Sequence, residues 1–267
     1  RSGAFSITNS SLGRILRSGG LAVFALIQTP RSAQAQYFGQ NKVIYNTFKF
    51  QVLQTQHFDL YYYEDERPVA PMAGRIAERW YARLSKFFNH QLSTRQPLII
   101  YASAPQFQET NAIQGDLGEG TGGVTEALKR RIVLPAAGPL KELNHVIGHE
   151  LVHAFQYDLT GGTRQGSVNG LPGAATLPLW FIEGMAEYLS LGPVDPHTSM
   201  WLRDAAKTKR PTIGDLNDPR LFPYRYRQAI LAQVRGTAGH EALVAVLRAC
   251  VTAPASDAPI PLARAPP

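Results

Sequence analysis

Residues 146–155 read VIGHELVHAF, so His149, Glu150 and His153 interrupt a run of apolar side chains. Positions i and i+4 share one face of an α-helix, which lets both imidazoles reach one ion while the intervening carboxylate projects beside it. Polar side chains in the interior of a protein are costly unless they have partners. The stretch therefore predicts a buried helix that carries a metal site.

The H-E-x-x-H spacing is typical of catalytic zinc, which lowers the pKa of a bound water molecule to about 7. Glu150 is then the predicted general base that takes a proton from this water. His145 shares the same helix face, but eight residues of helix rise about 12 Å, so one ion cannot bind all three histidines. His145 is expected beside the site or on a cleft wall. The alternative is that His149 and His153 only satisfy local hydrogen bonds.

A second apolar segment, WFIEGMAEY at residues 180–188, offers the third ligand. Glu183 and Glu187 lie one helical turn apart, and burying both would require a positive counter-charge. We expect Glu183 to bind the metal and Glu187 to accept a hydrogen bond from the second nitrogen of a zinc-binding histidine. If both face water instead, they are ordinary surface acids.

The order of elements predicts an α+β fold with an N-terminal mixed β-sheet, one long helix, and a mostly helical C-terminal half that carries the metal-site helices. Aromatic and β-branched runs predict strands at 45–54, 57–63, 96–103 and 130–134. Apolar spacing predicts helices at 68–90, 140–158, 177–191, 199–206, 226–235 and 241–249. The Gly-rich segment 104–123 lacks a phosphate-binding pattern. Two interpretations of it stay open: a surface loop, or a loop beside a substrate cleft.

Residues 1–35 have the features of a secretory signal peptide. Basic residues precede the apolar run 21–27, which is too short to span a membrane, and Ala33-Gln34-Ala35 forms a small-x-small cleavage site. We expect removal after Ala35 and export to the periplasm or the medium, with no stable membrane insertion afterwards. A disordered apolar tail is the alternative. The expected domain is 36–251, followed by a disordered Ala- and Pro-rich tail at 252–267.

Charge and cysteine content narrow the partner classes. The formal net charge is +7, but the basic clusters at 129–131 and 207–210 lack the interleaved aromatic residues of a base-stacking surface. We expect solvated basic faces and no nucleic-acid partner. The single cysteine, Cys250, excludes an internal disulfide, so the core or a bound metal must stabilise the domain.

The H-E-x-x-H helix followed by Glu-Gly-Met-Ala-Glu-Tyr at residues 183–188 resembles the gluzincins, zinc metallopeptidases of the thermolysin and aminopeptidase type. The resemblance is greatest to bacterial exported domains called peptidase MA-like, and it covers most of the mature chain. It implies a zincin-like fold with Zn²⁺ bound by His149, His153 and Glu183, and with Glu150 as base. It also implies that the strand near residues 124–134 is a cleft edge that pairs with an extended peptide substrate.

In the related aminopeptidases, a tyrosine shortly before Lys-Gly stabilises the oxyanion of the tetrahedral intermediate. The matching stretch here makes Tyr224 the candidate donor and Tyr226 the reserve, although Arg227 stands where glycine is usual. The alternative is that both tyrosines are packing residues.

The combined expectation is a zinc-dependent metallopeptidase that hydrolyses peptide bonds of extracytoplasmic peptides or proteins. Endopeptidase action is favoured because the chain has no Gly-x-Met-Glu-Asn run, which grips the free amine in the related aminopeptidases. The alternative is a non-catalytic envelope module that binds proteins and keeps a zincin-like fold. No pattern in the sequence specifies the oligomeric state.

Overall fold

The computed structural model describes residues 42–111, 117, 121–127, 129–161, 177–208, 212, 214–217 and 224–252. Within these ranges a five-stranded sheet comes first and a group of helices follows. The predicted α+β order is therefore confirmed. The predicted signal peptide at 1–35 and all of the predicted tail except Thr252 lie outside the described residues.

The sheet is mixed and has the strand order β1-β2-β3-β5-β4. Strands β2, β3 and β5 run parallel, whereas β1 is antiparallel to β2 and β4 is antiparallel to β5. Among the described strands, β4 pairs with β5 alone, which makes it an edge strand. The strands are β1 Gln51–Gln54, β2 Phe58–Tyr62, β3 Gln96–Tyr101, β4 Val124–Glu126 and β5 Arg131–Pro135.

Two strand predictions need correction. Residues 124–134 form an antiparallel hairpin of β4 and β5 rather than one continuous edge strand. Strand β1 begins at Gln51, not at residue 45. In the preceding segment the rings of Phe48 and Phe50 pack 4.7 and 5.6 Å from that of Tyr63. Aromatic packing therefore accounts for the β-like composition there.

The helices are α1 Ala70–Phe88, α2 Ala104–Gln108, α3 Leu140–Thr160, α4 Leu179–Leu191, α5 Pro196–Lys207 and α6 Tyr224–Thr252. Helix α6 joins the two helices predicted at 226–235 and 241–249, and its backbone is interrupted at Gly239, where φ is 77°. Helix α2 was not predicted, although Ser103 caps it by accepting a hydrogen bond from the backbone N–H of Gln106. Among the described helices, none has both the length and the apolar character that a membrane span requires.

Close backbone contacts on two sides fix the helices that carry the site. A Cβ added to Gly148 in α3 would lie 2.5 Å from the Trp80 ring of α1, so the indole packs directly on the α3 backbone. A Cβ added to Gly184 in α4 would lie 2.8 Å from the Arg227 carbonyl oxygen of α6. These glycines neighbour His149 and Glu183 in sequence, so packing against α1 and α6 positions both side chains.

Candidate metal centre

His149 and His153 of α3 meet Glu183 of α4 in the lining of one cleft. The Glu183 Oε2 atom lies 3.3 Å from His149 Nε2 and 3.5 Å from His153 Nε2. The two Nε2 atoms are 3.2 Å apart. The structure thus brings the three residues proposed from sequence as metal ligands to one point.

The chemistry and spacing of these atoms fit zinc. Zinc binds imidazole nitrogen and carboxylate oxygen at about 2.0–2.2 Å, usually in a tetrahedral arrangement. Two donors at such distances and a tetrahedral angle are separated by about 3.3 Å. The three observed separations, 3.2, 3.3 and 3.5 Å, are close to that value. The residues could therefore hold one zinc ion as three protein ligands.

The electrostatics of the group favour positive charge. Burial opposes protonation of His149, but Glu183 and Glu187 outweigh it and raise the pKa to about 10. The pKa of His153 is also raised, because the charge of Glu183 overcomes burial. Burial would raise the pKa of Glu183, yet the two imidazoles hold it well below its usual range. A proton on an imidazole, or a metal cation, satisfies this demand.

Glu187 lies one turn beyond Glu183 and faces the far side of His149. Its Oε1 atom is 3.2 Å from His149 Nδ1 and 3.5 Å from His145 Nε2. His145 also lines the cleft, but it is not grouped with His153 and Glu183. His145, His149 and Glu187 form a second group of possible metal-binding side chains, in which His149 offers its other nitrogen. Glu187 is therefore placed to orient the His149 ring.

Glu150 lies at the cleft between α3 and β4 and is largely buried. The Thr125 hydroxyl lies 2.7 Å from Glu150 Oε2 and 2.8 Å from the Glu150 carbonyl oxygen. Gly123 approaches the same carboxylate, since an added Cβ would lie 3.2 Å from Oε1. Thr125 was not singled out from the sequence because an isolated threonine carries no spacing signal. Gly123 belongs to the Gly-rich segment, for which a cleft-side loop was one interpretation.

The cleft has a volume of about 650 Å³ and runs between α3 and the β4 edge. Tyr157, which sequence reasoning missed, lines it one turn after His153. The two rings are nearly parallel, with centroids 6.1 Å apart. Burial, aided by the charges of Glu183 and Glu150, raises the pKa of Tyr157 to about 12. Its hydroxyl therefore stays protonated and can donate a hydrogen bond in the cleft. The i+4 spacing from His153 was the signal that could have identified it.

Of the two tyrosines proposed as oxyanion donors, the structure describes the side chain of Tyr226 only. Tyr224 begins α6, but its side chain lies outside what the structure describes. The Tyr226 hydroxyl donates to the Trp201 carbonyl at 3.1 Å, and Tyr226 is not among the described residues that line the cleft. Arg227 is buried and donates from Nε to the Leu216 carbonyl at 3.0 Å. These contacts favour packing roles for Tyr226 and Arg227.

Searches with the sequence find no matching protein-family model and no matching curated protein. The interpretation of the cleft therefore depends on its own geometry and chemistry.

Proposed function

We propose that this chain is a zinc-dependent metallopeptidase with a zincin-like fold, of the gluzincin class and similar to peptidase MA-like domains. Its substrates are extracytoplasmic peptides or proteins. The observation that carries the proposal is the convergence of His149, His153 and Glu183, whose nearest donor atoms are 3.2–3.5 Å apart. Two imidazoles and a carboxylate at this spacing can serve together as three ligands of one tetrahedral ion.

In this proposal Glu150 moves the protons of the reaction. Bound zinc would supply Lewis-acid chemistry, polarising the scissile carbonyl and making a water molecule acidic near neutral pH. Glu150 accepts a proton from the attacking water and delivers it to the departing amine. The Thr125 hydroxyl lies 2.7 Å from Oε2, and the lone pairs of Oε1 are available for proton transfer. The hydroxyl also fixes the orientation of the carboxylate before substrate arrives.

The position of β4 supports a peptide as substrate. An edge strand presents unpaired backbone N–H and C=O groups, to which an extended peptide can add as a further strand. Val124 and Thr125 of this strand line the cleft beside Glu150. A peptide paired there would place a backbone carbonyl near the candidate metal centre. The proposal keeps endopeptidase action, since the chain has no motif of the related aminopeptidases for gripping a free amine.

The decisive experiment compares the wild-type chain with Glu150→Gln. We expect one zinc per chain in both proteins, and a loss of casein cleavage of about 10²–10⁴-fold in the variant, because glutamine cannot accept the proton. Glu241→Gln, at an exposed position of α6, is the control and should cleave like wild type. Cleavage that persists in Glu150→Gln would overturn the assigned mechanism. Wild type that binds an envelope protein without cutting it would favour the non-catalytic module.

A further inference from the structure

Gln156 lies in the core between the two helices that supply the candidate ligands. It is fully buried, and its Oε1 atom lies 2.8 Å from His153 Nδ1. Its Nε2 atom donates to the Ile182 carbonyl at 3.1 Å. Ile182 directly precedes Glu183, so one amide contacts both a candidate ligand and the backbone beside another.

The Ile182 carbonyl decides which end of the amide faces His153. A carbonyl oxygen can only accept, so the NH₂ group of Gln156 must face it; the reverse orientation would bring two oxygens together. The amide oxygen then faces His153 Nδ1, and because that oxygen also only accepts, Nδ1 must carry the proton. In the neutral ring the lone pair is therefore on Nε2, the atom directed at Glu183 and His149.

We infer that Gln156 is a positioning residue of the metal centre, which holds His153 in its metal-binding tautomer and ties α3 to the backbone that carries Glu183. The inference depends on the proposed metal centre but not on peptide cleavage. It extends that proposal to a side chain that touches no substrate and no ion.

The two histidines are then oriented in chemically different ways. His149 faces a carboxylate, Glu187, whereas His153 faces a neutral amide. Glu142, Glu150, Glu183 and Glu187 already bring four acidic side chains to the cleft. A neutral acceptor orients His153 without adding a further charge, which would have to be desolvated.

The test is metal affinity in Gln156→Leu, measured with the full-length chain by competition with a chromophoric chelator at neutral pH. Loss of the groups that orient a zinc-binding histidine typically weakens metal binding 10–100-fold, and we expect about that loss here. The visible absorption of the cobalt-substituted protein should also change, since it reports the ligand geometry. Gln156→Glu keeps an acceptor for Nδ1, so it should bind zinc more tightly than Gln156→Leu.

Gln228→Leu is the matched control. Gln228 is also fully buried and donates to a backbone carbonyl of the α4 region, that of Gly192, at 2.6 Å. The structure shows no contact between Gln228 and the two histidines among its hydrogen bonds. We expect this variant to lose stability, measured by thermal unfolding, while its zinc affinity and cobalt spectrum stay close to wild type.

The outcomes separate the two proposals. If wild type binds neither zinc nor cobalt, the proposed metal centre is wrong. If wild type binds both and Gln156→Leu binds them equally tightly with an unchanged cobalt spectrum, only the role of Gln156 is wrong. An equal loss of affinity in Gln228→Leu would also overturn that role, because general loosening of the core would explain the effect. Should Gln156→Leu fail to fold, Gln156→Ala, which also removes the acceptor for Nδ1, decides: wild-type zinc affinity and a wild-type cobalt spectrum in that variant would overturn the inference.

Discussion

Replacing Gly148 with alanine tests how α1 fixes the helix of the metal centre. The added Cβ would lie 2.5, 2.8 and 2.9 Å from three atoms of the Trp80 ring. Carbon atoms in favourable contact are about 3.5–4.0 Å apart, so the indole or the helix must move. The indole is itself held, because Nε1 donates to the Asn144 carbonyl at 2.9 Å.

The expected cost combines three terms. Overpacking of a core costs about 1–3 kcal/mol, and a weakened indole hydrogen bond costs about 0.5–1.5 kcal/mol. Alanine has a better helix propensity than glycine, which offsets about 1 kcal/mol of this cost. The net loss in the free energy of unfolding is therefore about 2 kcal/mol. For a domain of this size that corresponds to a fall in Tm of about 4–8 °C.

Urea and thermal unfolding of the metal-free chain measure this effect without reference to function. Gly236→Ala in α6 is the control, since among the described residues no atom outside the adjoining backbone lies within 4 Å of its added Cβ, and it should gain up to about 1 kcal/mol. In a Trp80→Leu background the alanine at position 148 should cost much less, which a double-mutant cycle detects. The reasoning is refuted if Gly148→Ala is as stable as Gly236→Ala, or if its cost is the same in both backgrounds.

Two further predictions concern ion pairs outside the metal centre. Asp158 accepts hydrogen bonds from His90 and Arg130, so Asp158→Ala should lower the free energy of unfolding by about 3 kcal/mol in urea titrations; a loss below about 1 kcal/mol would contradict this. Burial would raise the pKa of Glu78, but hydrogen bonds led by that from His57 hold it below its ordinary value of 4.5. This stabilisation is present above pH 4.5 and is lost as the pH falls through the lower folded-state pKa. Urea midpoints of Glu78→Gln should therefore fall less on acidification than those of wild type, and an equal fall would refute the assignment.

Helices with a clear apolar period were predictable from sequence alone. The spacing over 68–90 predicts a helix that is found at Ala70–Phe88, and its buried face includes Trp80. The segment at 140–158 is found as Leu140–Thr160. In α1 one side of the helix is buried, so its apolar period follows from burial, whereas in α3 every residue of 150–156 is buried and the continuous apolar run is the local signal.

Pairings between distant segments were not predictable in the same way. The β4–β5 hairpin was read as one strand because residues 124–134 contain no Asn-Gly or Gly-Gly turn, and Arg130 adopts the left-handed conformation with φ 51°. Gln156 and Thr125 were missed for a related reason. An amide and a hydroxyl acquire their roles only through contacts with Ile182 and Glu150 that folding creates.

The facing nitrogens of the two histidines in the candidate metal centre call for a positive charge between them. His153 Nδ1 donates to Gln156, and His149 Nδ1 faces the Glu187 carboxylate, so neutral rings direct both Nε2 lone pairs at one another across 3.2 Å. Two facing lone pairs beside a carboxylate oxygen repel unless positive charge lies between them. A proton between the two Nε2 atoms is bonded to one of them, and the other accepts a hydrogen bond from it over a longer distance. An ion with bonds of about 2.1 Å could contact both nitrogens and the Glu183 oxygen together, which is the arrangement that the proposed zinc centre requires.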